Sequence, residues 1–198
     1  MPFYRFPVRP PLSFDDVESL EGARTPAEHR TAAEVLAGWA GEQHPDDDEV
    51  TPAALLSAAA WHLDMAGDPV AALELHRRAA AVAGDVPPDV RCYLHGALLR
   101  AGQAEEARAL ADEVRRSATD DLDVHVFMAE NYEAAGDLRQ ANRWLALGTT
   151  RLDAADLEGR VDDDRALALL VARRRVRAAL DLPPDGLDLL VPPPDPAG

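Results

Sequence analysis

The sequence predicts an all-α chain: a solenoid of about three helical hairpins, with a capping helix at each end. Three observations carry this. β-Branched residues are scarce and no segment alternates with period 2, so strands are not expected. Apolar residues recur at helical spacing, in stripes such as Leu55-Ala59-Leu63 and Val124-Met128-Tyr132. Finally, the segment Met65-Ala66-Gly67-Asp68 returns as Arg100-Ala101-Gly102-Gln103 and as Ala134-Ala135-Gly136-Asp137, so that the glycines stand 35 and then 34 residues apart.

The elements follow in order. Residues 1–24 read as an extended tail rich in proline and aromatics. Phe3, Tyr4, Phe6, Phe14, Arg5 and Arg9 make its part through Phe14 an aromatic, net-positive stretch, and the tail is expected to fold back on an acidic body. The helical domain is expected over 25–182. It opens with a capping helix, 26–40, marked by Thr25 as N-cap, Pro26 in the first turn and Glu28 completing a capping box. Ala32, Val35, Leu36 and Trp39 give that helix one apolar face. Breaks at 41–51, 84–88 and 119–123 separate three hairpins at 53–86, 88–120 and 122–152, and Thr51-Pro52 repeats the start signal for the first. A closing helix over 163–181 carries Leu167, Leu170, Val171, Ala178 and Leu180, and 183–198 reads as a proline-rich tail.

A period near 34 with glycine between two amphipathic helices resembles the tetratricopeptide repeat (TPR) family. With each glycine at repeat position 15, position 20 is Ala72, Ala107 and Ala141, and position 8 is Ala60, His95 and Ala129. Position 11 is Leu63, Leu98 and Tyr132, and position 27 is Ala79, Val114 and Gly148. The resemblance covers about 53–152. More loosely, the run Leu169–Arg177 is similar to short TPR proteins of high-GC Gram-positive bacteria. All 20 cationic residues are arginine and isoleucine is absent, a composition that fits high-GC coding. Some of those proteins end in a zinc motif, which the single cysteine here does not supply.

Charge and composition narrow the function. Hydrophobic residues make up 47%, enough for a packed core in a chain of 198 residues. The net charge of −16 opposes binding to nucleic-acid phosphates or anionic membranes, and no apolar run reaches the roughly 20 residues of a membrane span. With no signal peptide evident, a cytoplasmic protein is expected.

No catalytic motif appears: no nucleophile elbow, Walker loop or dinucleotide fingerprint. The chain is therefore expected not to be an enzyme and to need no cofactor. The six histidines form no metal-binding pair on a helix face, and His76, His95 and His125 fall at packing positions. The acidic runs 46–49 and 162–164 lack the glycine and spacing of a calcium loop and suit the positive ends of the helices they precede. Cys92 and His95 are an i, i+3 pair without an orienting acid. The run Arg173–Arg177 can either hold an anionic partner or pair with nearby aspartates.

The resemblance implies that the first helix of each hairpin lines a concave groove. The candidate partner-binding residues are Trp61, Met65, Tyr93 and Phe127, with Asp64, Arg100, Asp123 and Glu130 beside them. Aromatics and Met are enriched at binding hot spots. The family's clamp for a C-terminal carboxylate is excluded, because its cation positions here hold residues such as Ser57, Trp61 and Phe127. The leading expectation is a non-catalytic adaptor for a protein or peptide of apolar and basic character. The alternatives are a homodimer stacked through the apolar end helices and an accessory subunit of an enzyme complex.

Overall fold

The computed structural model describes residues 9–42, 44, 46–47, 49–117, 120–152 and 164–191. Phe3, Tyr4, Arg5, Phe6, Asp48, Asp162, Asp163 and the stretch 192–198 lie outside the described residues. Those described form helices and loops, with no strand among them. The helices are α1 (Phe14–Glu18), α2 (Pro26–Gly41), α3 (Pro52–Met65), α4 (Pro69–Ala81), α5 (Val90–Arg100), α6 (Ala104–Arg116), α7 (Leu122–Ala134), α8 (Leu138–Thr149) and α9 (Asp164–Ala179). The chain divides into two compact units, 1–97 and 98–198, with the division falling inside α5.

In the first unit α2, α3 and α4 pack in sequence order. Thr25 and Thr51 cap α2 and α3, each hydroxyl accepting from the backbone N–H three residues on, and Glu28 reaches back to the Thr25 N–H at 2.9 Å. Leu36, Leu55, Leu56, Ala59, Ala60 and Ala79 form the buried centre. The segment before α2 joins it: Leu12 is buried, and Val17 and Leu20 pack against the same core. The Arg9 guanidinium grips the Asp47 carboxylate with both terminal nitrogens. Asp47 also accepts from the backbone N–H of Leu12 at 2.8 Å and of His44 at 3.0 Å. Arg9 holds the Asp47 carboxyl well below the usual carboxylate range. One acid of the run 46–49 therefore clamps the N-terminal segment.

In the second unit α7 and α8 pack on each other and α9 packs on both. Val124, Met128, Leu145, Leu169, Leu170 and Val176 are buried between them. Gly148 makes this approach possible, because a Cβ there would stand 2.8 Å from Leu169 Cδ1 and 3.0 Å from His125 Cβ. After α9 the chain turns back through Pro183 to a short 3-10 turn at Asp188–Leu190. Arg173 binds Asp185 at 2.5 Å and Asp188 at 2.7 Å, Arg177 binds Asp188 at 2.9 Å, and Arg174 donates to the Val191 carbonyl at 3.0 Å. Residues 183–191, read from sequence as part of a tail, are thus anchored on α9.

The three glycine turns are built alike. Gly67, Gly102 and Gly136 have φ of +77°, +73° and +79°, a region that favours glycine. In each, the residue after the glycine donates back to the carbonyl at repeat position 11: Asp68 to Leu63, Gln103 to Leu98 and Asp137 to Tyr132, at 2.8–2.9 Å. This is the Schellman closure of a helix end. The next helix then starts with Ala72, Ala107 and Ala141 fully buried, where a larger side chain would force the helices apart.

Candidate functional site

The eight candidate residues divide four and four. Trp61, Asp64, Met65 and Tyr93 belong to the first unit, and Arg100, Asp123, Phe127 and Glu130 to the second.

In the first unit α3 buries the stripe Leu55, Leu56, Ala59 and Ala60, which turns Trp61 and Met65 outward. These side chains, four residues apart on one helix face, are 46% and 52% exposed. The Trp61 ring is not loose. It meets the His29 ring of α2 edge-on, with centroids 5.7 Å apart and planes at 81°. Beneath it His29 and His62 are buried, and their Nδ1 atoms lie 2.8 Å apart. That contact requires one ring to donate and the other to accept. Burial, followed by the neighbouring His29, pushes the His62 pKa down. The paired imidazoles, tilted at 47° to each other, fix the inner edge of an indole whose outer face is open to solvent.

Asp64 lies between these two residues in sequence and is half-buried. Its carboxylate is 3.8 Å from Nε2 of buried His76. The His76 ring in turn stacks on Tyr93, at 6.4 Å and 16°. The Tyr93 hydroxyl donates to the Pro87 carbonyl at 2.7 Å, and burial pushes its pKa up. Tyr93 therefore braces the hairpin edge with its polar end occupied, and less of it is presented than of Trp61.

In the second unit Asp123, Phe127 and Glu130 run along α7. Asp123 accepts from Arg165 Nε at 3.2 Å. Glu130 lies 3.9 Å from Arg175, which binds Glu133 more closely at 2.7 Å. Phe127 is half-buried and Arg100 is exposed. The acidic side chains of α7 thus face arginines of α9, which reduces the negative rim expected there.

The remaining sequence features also find places. Every arginine of the run 173–177 has a partner within the second unit. Cys92 and His95 are both fully buried. Burial alone pushes the His95 pKa down to about 4, so the ring is neutral at pH 7. Among the described residues, no group of three or more His, Cys, Asp or Glu side chains is placed to hold a metal ion, and no helix is long and apolar enough to cross a membrane. Sequence reasoning missed the His29–His62 pair that supports Trp61. The partners are 33 residues apart on different helices, and nothing local joins them.

Compared with protein-family models, curated proteins and solved structures, the chain matches none.

Proposed function

We propose that the chain is a TPR-type helical repeat protein, a right-handed solenoid of three hairpins, that works without catalysis as an adaptor for a protein or peptide partner. The repeated glycine turns and the buried alanines at position 20 support the family reading. The exposed pair Trp61 and Met65, with the indole held edge-on by His29, carries the functional one. A large aromatic and a Met presented side by side on a rigid helix are what a partner's apolar side chain docks against. Asp64 beside them, in a chain of charge −16, favours a partner with basic residues next to its apolar anchor. Tyr93, Phe127, Arg100, Asp123 and Glu130 are assigned secondary contributions.

Self-association through the end helices is less well supported. Ala32, Ala33 and Leu36 of α2 are already buried within the first unit, and Leu169, Leu170, Ala172 and Val176 of α9 within the second.

The experiment places a photo-crosslinking residue at position 61 and, as control, at exposed Val70 on α4. A partner crosslinked at 61 and not at 70 is then measured against Trp61→Ala and Met65→Ala. Loss of about 1.4 kcal/mol or more, one decade in Kd, with unchanged helicity supports the site. Normal binding by both folded variants rejects it. Sedimentation of the free protein as a tight dimer would favour self-association instead.

A further inference from the structure

The second unit holds a feature that the adaptor reading does not use. Between α6 and α8, over the end of α7, lies a concavity of about 150 Å³. Arg108 and Arg115 enter it from α6, Gln140 and Arg143 from α8, and Tyr132 and Trp144 line its wall. We propose that this concavity binds the dianionic phosphate group of a phosphate monoester.

The helix register brings the groups together. Arg108, Asp112 and Arg115 are spaced i, i+4, i+7 on α6, and Gln140, Arg143 and Leu147 lie at matching intervals on α8, so each set shares one face. Three guanidiniums and the one carboxylate, Asp112, leave two positive charges around the opening. In a chain of net charge −16 that local sign runs against the average. Asp112 is already committed to Arg115, at 2.8 Å. Arg108 and Arg143 form no ion pair among the described residues, and Arg143 has only a 3.5 Å contact with Gln140 Oε1. The contrast with α9 is direct: Arg173, Arg175 and Arg177 each bind a carboxylate within 3 Å.

The wall suits an anion as well. Tyr132 and Trp144 are buried and hydrogen-bonded to each other, so they form a fixed surface. A guanidinium matches a phosphate by parallel N–H donors, and two of them facing each other satisfy a dianion better than a carboxylate. The volume fits one such group and falls below the roughly 300 Å³ at which pockets for larger organic molecules begin. The group can belong to a free metabolite or to a phosphorylated side chain of a partner protein.

The test uses the full ¹⁵N-labelled chain at pH 7.5 and constant ionic strength, with the Trp144 indole resonance as reporter. Inorganic phosphate, a phosphoserine peptide and its unphosphorylated form are titrated in turn, with acetate and chloride as references. A saturable shift with phosphate or the phosphopeptide is expected, weakened at least tenfold by Arg108→Gln or Arg143→Gln. Neither arginine holds an ion pair among the described residues, so both variants should keep the wild-type melting temperature. Tighter binding of the phosphopeptide than of phosphate identifies a protein-borne group, and equal binding identifies the phosphate group alone; both uphold the site. A shift no larger than with chloride, equal binding of acetate, or wild-type binding by both variants overturns it. None of these residues belongs to the Trp61 surface, so this site and that one fail independently.

Discussion

The hairpins α3–α4 and α7–α8 start from the same turn and fill the space behind it differently. Position 4 is Leu56 in the first and His125 in the second, whereas position 24 is His76 in the first and Leu145 in the second. Leucine and histidine have changed helices, and all four side chains are buried. Each imidazole has its own neighbour: His76 lies near Asp64 and stacks on Tyr93, while His125 lies 5.8 Å from Trp144. Position 27 follows the exchange, with Ala79 in one hairpin and Gly148, against His125, in the other. The repeat therefore fixes the turn and the small contact at position 20. It leaves the large positions to any set of side chains whose volumes fit together.

The strongest way to sharpen this comparison is α5, which lies between them in sequence and has His95 instead of alanine at position 8. The folded His95 pKa of about 4 lies below the unfolded value near 6.5. Between those values the unfolded chain takes up a proton that the native ring does not. Stability should therefore fall as pH drops from about 6.5 to about 4, by on the order of 3 kcal/mol. His95→Ala, which restores the residue of the other two repeats, should flatten that slope. Chemical denaturation of both proteins across this range checks it.

The next effect concerns position 20. Ala72→Leu and Ala141→Leu should each cost about 1–3 kcal/mol by overpacking fully buried sites, one in each unit. Ala146→Leu, on the exposed face of α8, should stay within about 0.5 kcal/mol. Equal melting temperatures for the variants at 141 and 146 would break the equivalence of the two hairpins.

A smaller effect tests position 27. Gly148→Ala should destabilise by about 1 kcal/mol even though alanine is the better helix former, because its Cβ meets Leu169 and His125. Ala79→Gly should also destabilise, by about 1 kcal/mol or more, through helix propensity and the lost packing of a buried methyl. A stabilising Gly148→Ala would show that α9 can move away without loss. The smallest effect expected is at the N-terminal clamp. Asp47 is held below its ordinary pKa, so its contribution is complete above about pH 4 and is lost as pH falls below that. Arg9→Gln should expose residues near Leu12 to limited proteolysis at neutral pH while the helices keep their signal.

The legible parts of this fold were those set by neighbours in sequence. A glycine needing positive φ, a threonine before proline and an alanine five residues past each turn are short-range requirements, and they placed the hairpins. The sequence set His76 and His125 at packing positions but not their neighbours, because Asp64, Tyr93 and Trp144 reach them from other helices. The clamps were also hidden. Arg9 and Asp47 are 38 residues apart, and the proline-rich stretch after 182 gives no helical period, although Asp185 and Asp188 lock it to α9. For the candidate surface, sequence named Trp61 and Met65 but not the His29–His62 pair behind them. It also set Asp123 and Glu130 on an acidic rim without the arginines that face them.

The basic run of α9 has a further consequence at long range. Arg173, Arg175 and Arg177 each sit against a carboxylate, so from outside they act as short dipoles instead of a block of positive charge. The field of such pairs fades faster than that of single charges, and salt at physiological strength screens what remains within about 8 Å. A molecule diffusing toward the second unit meets little of the charge of Arg173, Arg175 and Arg177. Its approach is steered by the charges that no opposite neighbour offsets, Arg108 and Arg143 among them.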